Sequence, residues 1–461
     1  MIRPPTDGAH PASAPGPQAG LARAIRLPHA FAMVVGTIIG ASIFVQPSEI
    51  SGHVPTVTGV FLVWTVSGVL TLCGALVCAE LASAYPSSGG VYVFLRESFG
   101  PWLGFLWGWA MFWTMHSGII AAIATVFARY TAYFTPMSDA ALRAIAVAVI
   151  LFLSAVNWVG VRHGSRLQTS FTVGKLVAIA AMIVIGFALG GDVRPDSAAT
   201  VATESSTAPA YGVTDFALAL VAGLFAFGGW HMVTYSADET VDAERTIPRA
   251  LALGVIVVTL CYILLNGVYL YILPVDVVAS SERIAADAAD AVLGAGGGAF
   301  MSALVMFSTF GALAGIILAG PRVYYAMARD GLVFRWMGAV HERYRTPHRA
   351  IALQAIWSSV LVATGSYRQL FTRVIYTEWI FFGLMAVGLL LLRRRGTRRA
   401  YVLPLGHWIP IVFAISAFAI VLNQIVRAPA ESLLGLSLVL IGLPVYLIWG
   451  RTRGRVRPTE T

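Results

Sequence analysis

The chain has 461 residues, of which 58% are hydrophobic and only 11% charged, and its formal net charge is +9. This balance excludes an ordinary water-soluble domain, and in so apolar a chain the basic excess speaks for orientation in a bilayer rather than for nucleic acid. Cys73, Cys78 and Cys261 all fall in apolar runs, so they read as small packing residues and not as an extracellular disulfide framework.

Residues 1–22 are rich in Pro, Ala and Gly and lack an uninterrupted apolar stretch, which predicts a disordered cytoplasmic tail rather than a signal peptide. A hydrocarbon core calls for about 20 largely apolar residues per helix. Runs at 29–50, 57–83, 102–134, 141–159, 168–189, 212–235, 250–273, 297–328, 350–364, 371–392, 408–426 and 432–449 meet or approach that length, the ninth being marginal. Twelve spans put both termini on one side. If that side is cytoplasmic, it collects the arginines near 23–26, 96, 162–166, 245–249, 322–349, 393–399 and 451–457. The opposite side keeps only Arg129, Arg143, Arg194, Arg283, Arg368, Arg373 and Arg427. This asymmetry is the positive-inside pattern, and it predicts an inner-membrane protein with cytoplasmic termini, the last being the basic tail 451–461. The longest loop, about 190–212, is polar and poor in aromatics, so no extramembrane catalytic or binding domain is expected.

Two runs carry residues that oppose a continuous helix. Span one contains Gly36, Gly40 and Pro47, and span six contains adjacent Gly228 and Gly229 at mid-membrane. Each glycine costs about 1 kcal/mol relative to alanine inside a helix, so two such sites five spans apart suggest broken helices. An unwound segment at membrane depth is tolerated only where its amides and carbonyls line a cavity or meet a ligand. Free amides at a helix start suit a carboxylate and free carbonyls suit an ammonium, so together they can hold a zwitterion. The plainer alternative is that Gly36 and Gly40 merely permit close helix packing.

Lys175, in span five, is the only lysine in the chain. A charge in mid-membrane costs at least about 2.5–3.5 kcal/mol, so such a residue faces the bundle interior and does work, unless it lies near the cytoplasmic end and snorkels out. Glu378 in span ten can pair with a charge or relay a proton, or lie near the outer water interface. Asp215 reads as a helix-start charge, His116 and Trp113 as packing residues of span three, and Arg329 and Asp330 as part of a cytoplasmic ion-pair network or a solvated loop. No HExxH motif occurs, Gly174-Lys175 lacks the glycine spacing and Ser/Thr of a phosphate-binding loop, and the glycines at 294–298 follow no strand. No enzyme, metal site or cofactor is therefore expected.

Seven motifs occur in one order: Gly-Thr-Ile-Ile-Gly-Ala-Ser-Ile-Phe (36–44), Ala-Glu-Leu-Ala-Ser-Ala-Tyr-Pro-Ser-Ser-Gly-Gly-Val-Tyr (79–92), Asn-Trp-Val-Gly-Val-Arg-His-Gly (157–164), Phe-Thr-Val-Gly-Lys-Leu (171–176), Phe-Ala-Phe-Gly-Gly-Trp (225–230), Thr-Ile-Pro-Arg-Ala (246–250) and Ala-Arg-Asp-Gly-Leu (328–332). Through them the chain resembles the amino acid–polyamine–organocation superfamily over about 22–450, and within it the bacterial relatives of the L-type amino-acid transporters. The resemblance implies an all-α membrane protein of LeuT type. Residues 23–190 (spans one to five) and 191–392 (spans six to ten) would be inverted repeats, with broken helices one and six, and 393–450 would add spans eleven and twelve. It further implies that the amides of Gly40, Ala41 and Ser42 hold a substrate carboxylate and that the carbonyls of Ile38, Phe225 and Gly228 hold its ammonium. The Phe225 ring would close over the substrate as a gate, and Lys175 would replace the sodium of sodium-coupled relatives. Ser42 stands where the family usually has glycine, so its Cβ narrows the approach to the carboxylate while its hydroxyl can donate a bond. The outer loop between spans three and four, Thr135–Asp139, has no cysteine, so no disulfide-linked heavy subunit is expected.

The resulting expectation is sodium-independent secondary transport of a neutral L-amino acid, by exchange or proton symport. Neutral is preferred because no acidic side chain falls on the cavity-lining stretches of spans one and six. The alternatives are a cationic amino acid or polyamine with Glu378 as the ammonium partner, or a non-transporting amino-acid sensor.

Overall fold

The fold is described by a computed structural model covering residues 25–87, 89–159, 164–192, 211–344, 346–365, 367–427 and 429–453. The expected tail 1–22 and most of the 190–212 loop lie outside these residues. The described residues are helical, and their only extended pairing is an isolated parallel bridge between Ile25 and Thr240. There the Ile25 amide donates to Glu239 O (3.0 Å) and the Val241 amide to Ile25 O (2.9 Å).

Each of the twelve apolar runs forms helix, and among the described residues ten helices are long and apolar enough to cross a membrane. The other two fall short for different reasons. The ninth, His348–Thr364, has 17 residues, and the twelfth is divided at Ile441 into Pro429–Leu440 and Gly442–Arg453.

The helices sort by packing into two groups of four. Spans one (Leu27–Phe44), two (Val57–Ala84), six (Val213–Glu239) and seven (Ala243–Ile272) pack on one another. Spans three (Pro101–Thr131), four (Asp139–Val159), eight (Ala295–Arg329) and nine form the second group. Span five (Gly164–Leu189) leans on spans one, seven and eight, and span ten (Tyr367–Arg394) faces two, three and six. Span three winds as a π-helix over Met111–Met115, a local change of register that turns its second half relative to its first.

Both expected breaks are present. Span one is α-helical over Leu27–Ile38, unwinds at 39–41, and resumes as a 3-10 turn at Ser42–Phe44. Of the three residues expected to break it, only Gly40 lies in the unwound stretch. Gly36 stays helical, where a Cβ would stand 2.3 Å from Thr172 Oγ1, so its role is the close approach of span five. Pro47 starts the separate helix Gln46–His53, because its missing amide is harmless in a first turn. Span six runs as α-helix over Val213–Ala226 and restarts as 3-10 helix at Trp230–Glu239, turning through Gly229 at φ +96°. A side chain there would be strained and would press on Thr37 O at 3.1 Å.

At the arginine-rich end, ion pairs tie the helices together. Glu80 of span two is fully buried and takes Arg393 Nη2 (2.6 Å) and Nε (2.8 Å), Arg399 Nε (2.9 Å) and the Leu403 amide (2.9 Å). Arg322 of span eight reaches Glu239 at the end of span six (3.3 Å). Asp330 pairs with Arg96 and the Tyr92 hydroxyl, on the connecting helix Val91–Phe99. Burial, and then this acceptor, push the Tyr92 phenol well above its ordinary range. Arg329 lies over the Tyr325 ring.

Candidate functional site

The two breaks meet. Thr37 Oγ1, one residue before the end of the first half-helix, lies 2.8 Å from Met33 O of its own helix and 3.2 Å from Gly229 O of span six. Every helix leaves its last carbonyls without partners, and here those orphans are buried at membrane depth. Side chains from other spans meet them. Tyr262 of span seven places its hydroxyl 3.0 Å from Ile38 O and 2.9 Å from Ala226 O, so one phenol serves both broken ends. Lys175 donates from Nζ to Ile39 O (3.1 Å) and Gly36 O (3.3 Å) and is 3% exposed. It does not snorkel. Its charge sits at the negative end of the first half-helix, where the helix dipole favours a cation. Tyr130 of span three donates to Phe44 O (2.8 Å) beyond the break.

Between the breaks lies a cavity with an empty volume of about 360 Å³. Ile38, Gly40, Ser42, Phe225 and Gly228, five of the expected site residues, line it together with Thr37, Gly229 and Met232. Ala41 is buried beside it. The opposite wall is apolar, made by Ile119 and Ile123 of span three, Ile316 of span eight and Val374 of span ten, and it ends in the Glu378 carboxylate. Lys175 does not line this cavity. It borders a second, smaller one, of about 230 Å³, with Phe44, Ile179, Met182 and Ser308.

The backbone groups of the break are unequally available. The Gly40 amide is turned back onto Ile38 O (2.8 Å). Ile38 O thus takes two donors, Gly40 N and Tyr262, which fills its two lone pairs. Among the described residues the amides of Ala41, Ser42 and Ile43 donate to no protein acceptor. Phe225 O accepts from the Gly228 amide (2.9 Å).

The other candidates have structural places. Asp215 caps its helix start by accepting from the Gly212 amide (2.9 Å). His116 Nε2 lies 2.8 Å from Ile316 O, and Trp113 packs edge-on against Trp357. Glu378, for which an outer-interface position was an open alternative, is 3% exposed and faces the cavity. Sequence reasoning missed Tyr262, Tyr130 and Thr37. Their only signal was a polar group within an apolar span. Among the described residues no cluster of His, Cys, Asp or Glu could hold a metal ion.

Comparison with known proteins bears on what such a cavity serves. The profile of the family described as amino acid permease matches residues 25–444. The serine/threonine exchanger SteT of Bacillus subtilis is 32% identical over 432 residues, covering 93% of this chain and 97% of that protein. The b(0,+)-type amino acid transporter 1 of Mus musculus is 30% identical, covering 90% and 86%. The large neutral amino acids transporter small subunit 2 of Rattus norvegicus is also 30% identical, covering 95% and 82%. These matches run through both breaks, both groups of four helices and the cavity between them. The chain therefore belongs to the amino acid permease family of the amino acid–polyamine–organocation superfamily, as a multi-pass membrane transport protein related to the L-type transporters.

Proposed function

We propose that this permease is a sodium-independent secondary transporter of neutral L-amino acids, working by alternating access as an exchanger or a proton symporter. The observation that carries the reading is one cavity bounded by free amides at the start of one half-helix and by carbonyls at the end of another. The α-carboxylate would rest on the amides of Ala41 and Ser42, with Ile43 beside them, since the Gly40 amide is spent on Ile38. The ammonium would fall to the carbonyls of Phe225 and Gly228 rather than to the doubly engaged Ile38. The aliphatic wall of Ile119, Ile123, Ile316 and Val374 suits an uncharged side chain. The exchange mode is favoured by the resemblance to a serine/threonine exchanger.

The Lys175 ammonium bridges span five to the broken end of span one, which is the reason to expect no sodium there. The packing of spans one, two, six and seven against three, four, eight and nine supports inverted repeats at 23–190 and 191–392 within a twelve-span LeuT-type fold. In this reading the arginine-rich end faces the cytoplasm across an inner membrane, and the chain works without a disulfide-linked heavy subunit.

Purified protein in liposomes preloaded with a panel of unlabelled amino acids tests this. Uptake of a labelled neutral amino acid should be stimulated by internal substrate and unchanged when sodium is replaced by potassium. Sodium-dependent uptake overturns the role given to Lys175, and ligand binding without any flux makes the protein a sensor. Phe225→Ala should keep binding within a few-fold but lose at least about tenfold in flux, a barrier change of about 1.4 kcal/mol; unaltered flux removes Phe225 as a gate.

A further inference from the structure

We propose that Glu378 fixes the cavity to one compensating positive charge, which arrives either as a proton accompanying a neutral amino acid or as the cationic side chain of a basic one. The proposal rests on the transport reading above and defines which substrates the same cavity takes.

Glu378 lies one helical turn beyond Val374, so both face the same way from span ten, and both line the cavity. Among the described residues its carboxylate is the only acidic or basic side chain in that lining. Among the described residues it has no hydrogen bond and no ion pair, although a carboxylate so enclosed is costly unless neutralised.

Among the described residues the charged and titratable groups on neighbouring elements do not neutralise it. Lys175 is turned to the carbonyls of Gly36 and Ile39, on the far side of span one. Toward the arginine-rich end of span ten, Glu80 is held by Arg393 and Arg399, and Arg96 by Glu97 and Asp330. At the other end Arg427 of span eleven faces Asp215 (3.8 Å), and Arg129 closes the last turn of span three. Between the ends stand Cys78 of span two, His116 of span three, and His231 and Tyr235 of span six, with Tyr130 beside Arg129 in the last turn of span three. His116 is bonded to Ile316 O, and Tyr130 to Phe44 O. His231 is boxed by the rings of Trp107, Trp230, Tyr235 and Phe382. Neither imidazole lines the cavity.

A neutral amino acid enters as a zwitterion whose two charges are matched by the backbone seats, so it leaves the carboxylate uncompensated. It therefore requires the protonated acid. A basic amino acid carries one further positive charge and requires the ionised carboxylate. The two substrates thus compete for one cavity in opposite protonation states. Exchange of an external basic for an internal neutral amino acid moves one proton outward with the neutral one, and the charge carried in each direction is the same.

Linkage gives the signs. Binding of a neutral amino acid takes up a proton, so its affinity falls as pH rises, by up to about tenfold per pH unit above the titration of the acid. Affinity for a basic amino acid falls as pH drops. The test measures binding of labelled L-threonine and L-arginine to purified protein from mildly acidic to mildly alkaline pH. It also follows a trapped pH-sensitive dye in threonine-loaded liposomes. External arginine should make the interior more alkaline, while external threonine leaves it unchanged. Glu378→Gln should bind threonine with no pH dependence and lose arginine affinity by on the order of tenfold or more.

The proposal is overturned if wild-type protein binds threonine without pH dependence and does not take arginine, or if the glutamine variant keeps both behaviours. Should that variant aggregate, the dye signal of the wild type still decides. Absence of any amino-acid binding by the wild type instead removes the transport reading, and this proposal with it.

Discussion

The breaks in spans one and six do the same job by unlike means. Span one unwinds through residues 39–41 without any left-handed residue, and its exposed carbonyls are met by a charge from span five. Span six turns on a single left-handed glycine, and its last carbonyl is met by the neutral Tyr262 hydroxyl. Both breaks share the Tyr262 hydroxyl, and beyond it the first is held by a charge from span five and the second by its own backbone conformation. The first can be released by moving one side chain, whereas the second is built into the chain. Span one is thus the half of the pair whose shape can respond to a protonation or to a movement of span five.

The contrast is open to attack by substitution. The largest effect is expected from Lys175→Met, which leaves Gly36 O and Ile39 O without a donor at a cost of about 1–3 kcal/mol each, offset in part because no charge is then buried. Thermal unfolding in detergent should show the greatest loss of any single variant here, and amino-acid flux should vanish. A variant as stable and active as wild type would mean that span one holds its own break.

Gly229→Ala comes next. It forces a side chain to φ +96° and into Thr37 O, for a cost of about 1–3 kcal/mol of backbone strain. Because the strain is conformational, its effect should not depend on pH or salt. A pH-dependent loss would contradict the backbone explanation. Tyr262→Phe should cost least, about 1 kcal/mol, as one hydroxyl is shared between two carbonyls. Combined with Lys175→Met it should be more than additive, because Ile38 O and Ile39 O belong to the same unwound turn. Simple additivity in a double-mutant cycle would show that the two donors act on independent ends.

Much of this was legible in the sequence because mid-membrane glycines and a lone lysine are costly wherever they occur. The helical runs and the presence of a break in spans one and six follow from hydropathy and helix propensity, whereas for Lys175 the sequence left an inward position and snorkelling both open. What was not legible depends on rotation and distance. In span ten the polar residues before Glu378, such as Gln369, Thr372, Arg373 and Thr377, form no single stripe, so the sequence does not reveal which face Glu378 occupies, and neutral specificity was inferred from spans one and six only. Tyr262 and Tyr130 look like ordinary aromatic residues until two separate half-helices converge on their hydroxyls. Gly36 was assigned to the break because a Cβ-free position for span five and a helix break use the same residue. Asp330 was placed in an ion-pair network or a solvated loop, but nothing in the sequence names Arg96 and Tyr92, more than two hundred residues earlier, as its partners.

The Glu80 cluster has a consequence for biogenesis. Glu80 and Arg393 are 313 residues apart in the chain. At about 5–20 residues per second, the ribosome needs roughly 15–60 s to supply the partner after the acid has been made. During that interval span two has to keep its acidic end at the wet interface. The loop around Arg393 and Arg399 therefore completes span two long after span two has been inserted, and truncations that end before residue 393 should leave an early helix unsettled as well as removing late ones.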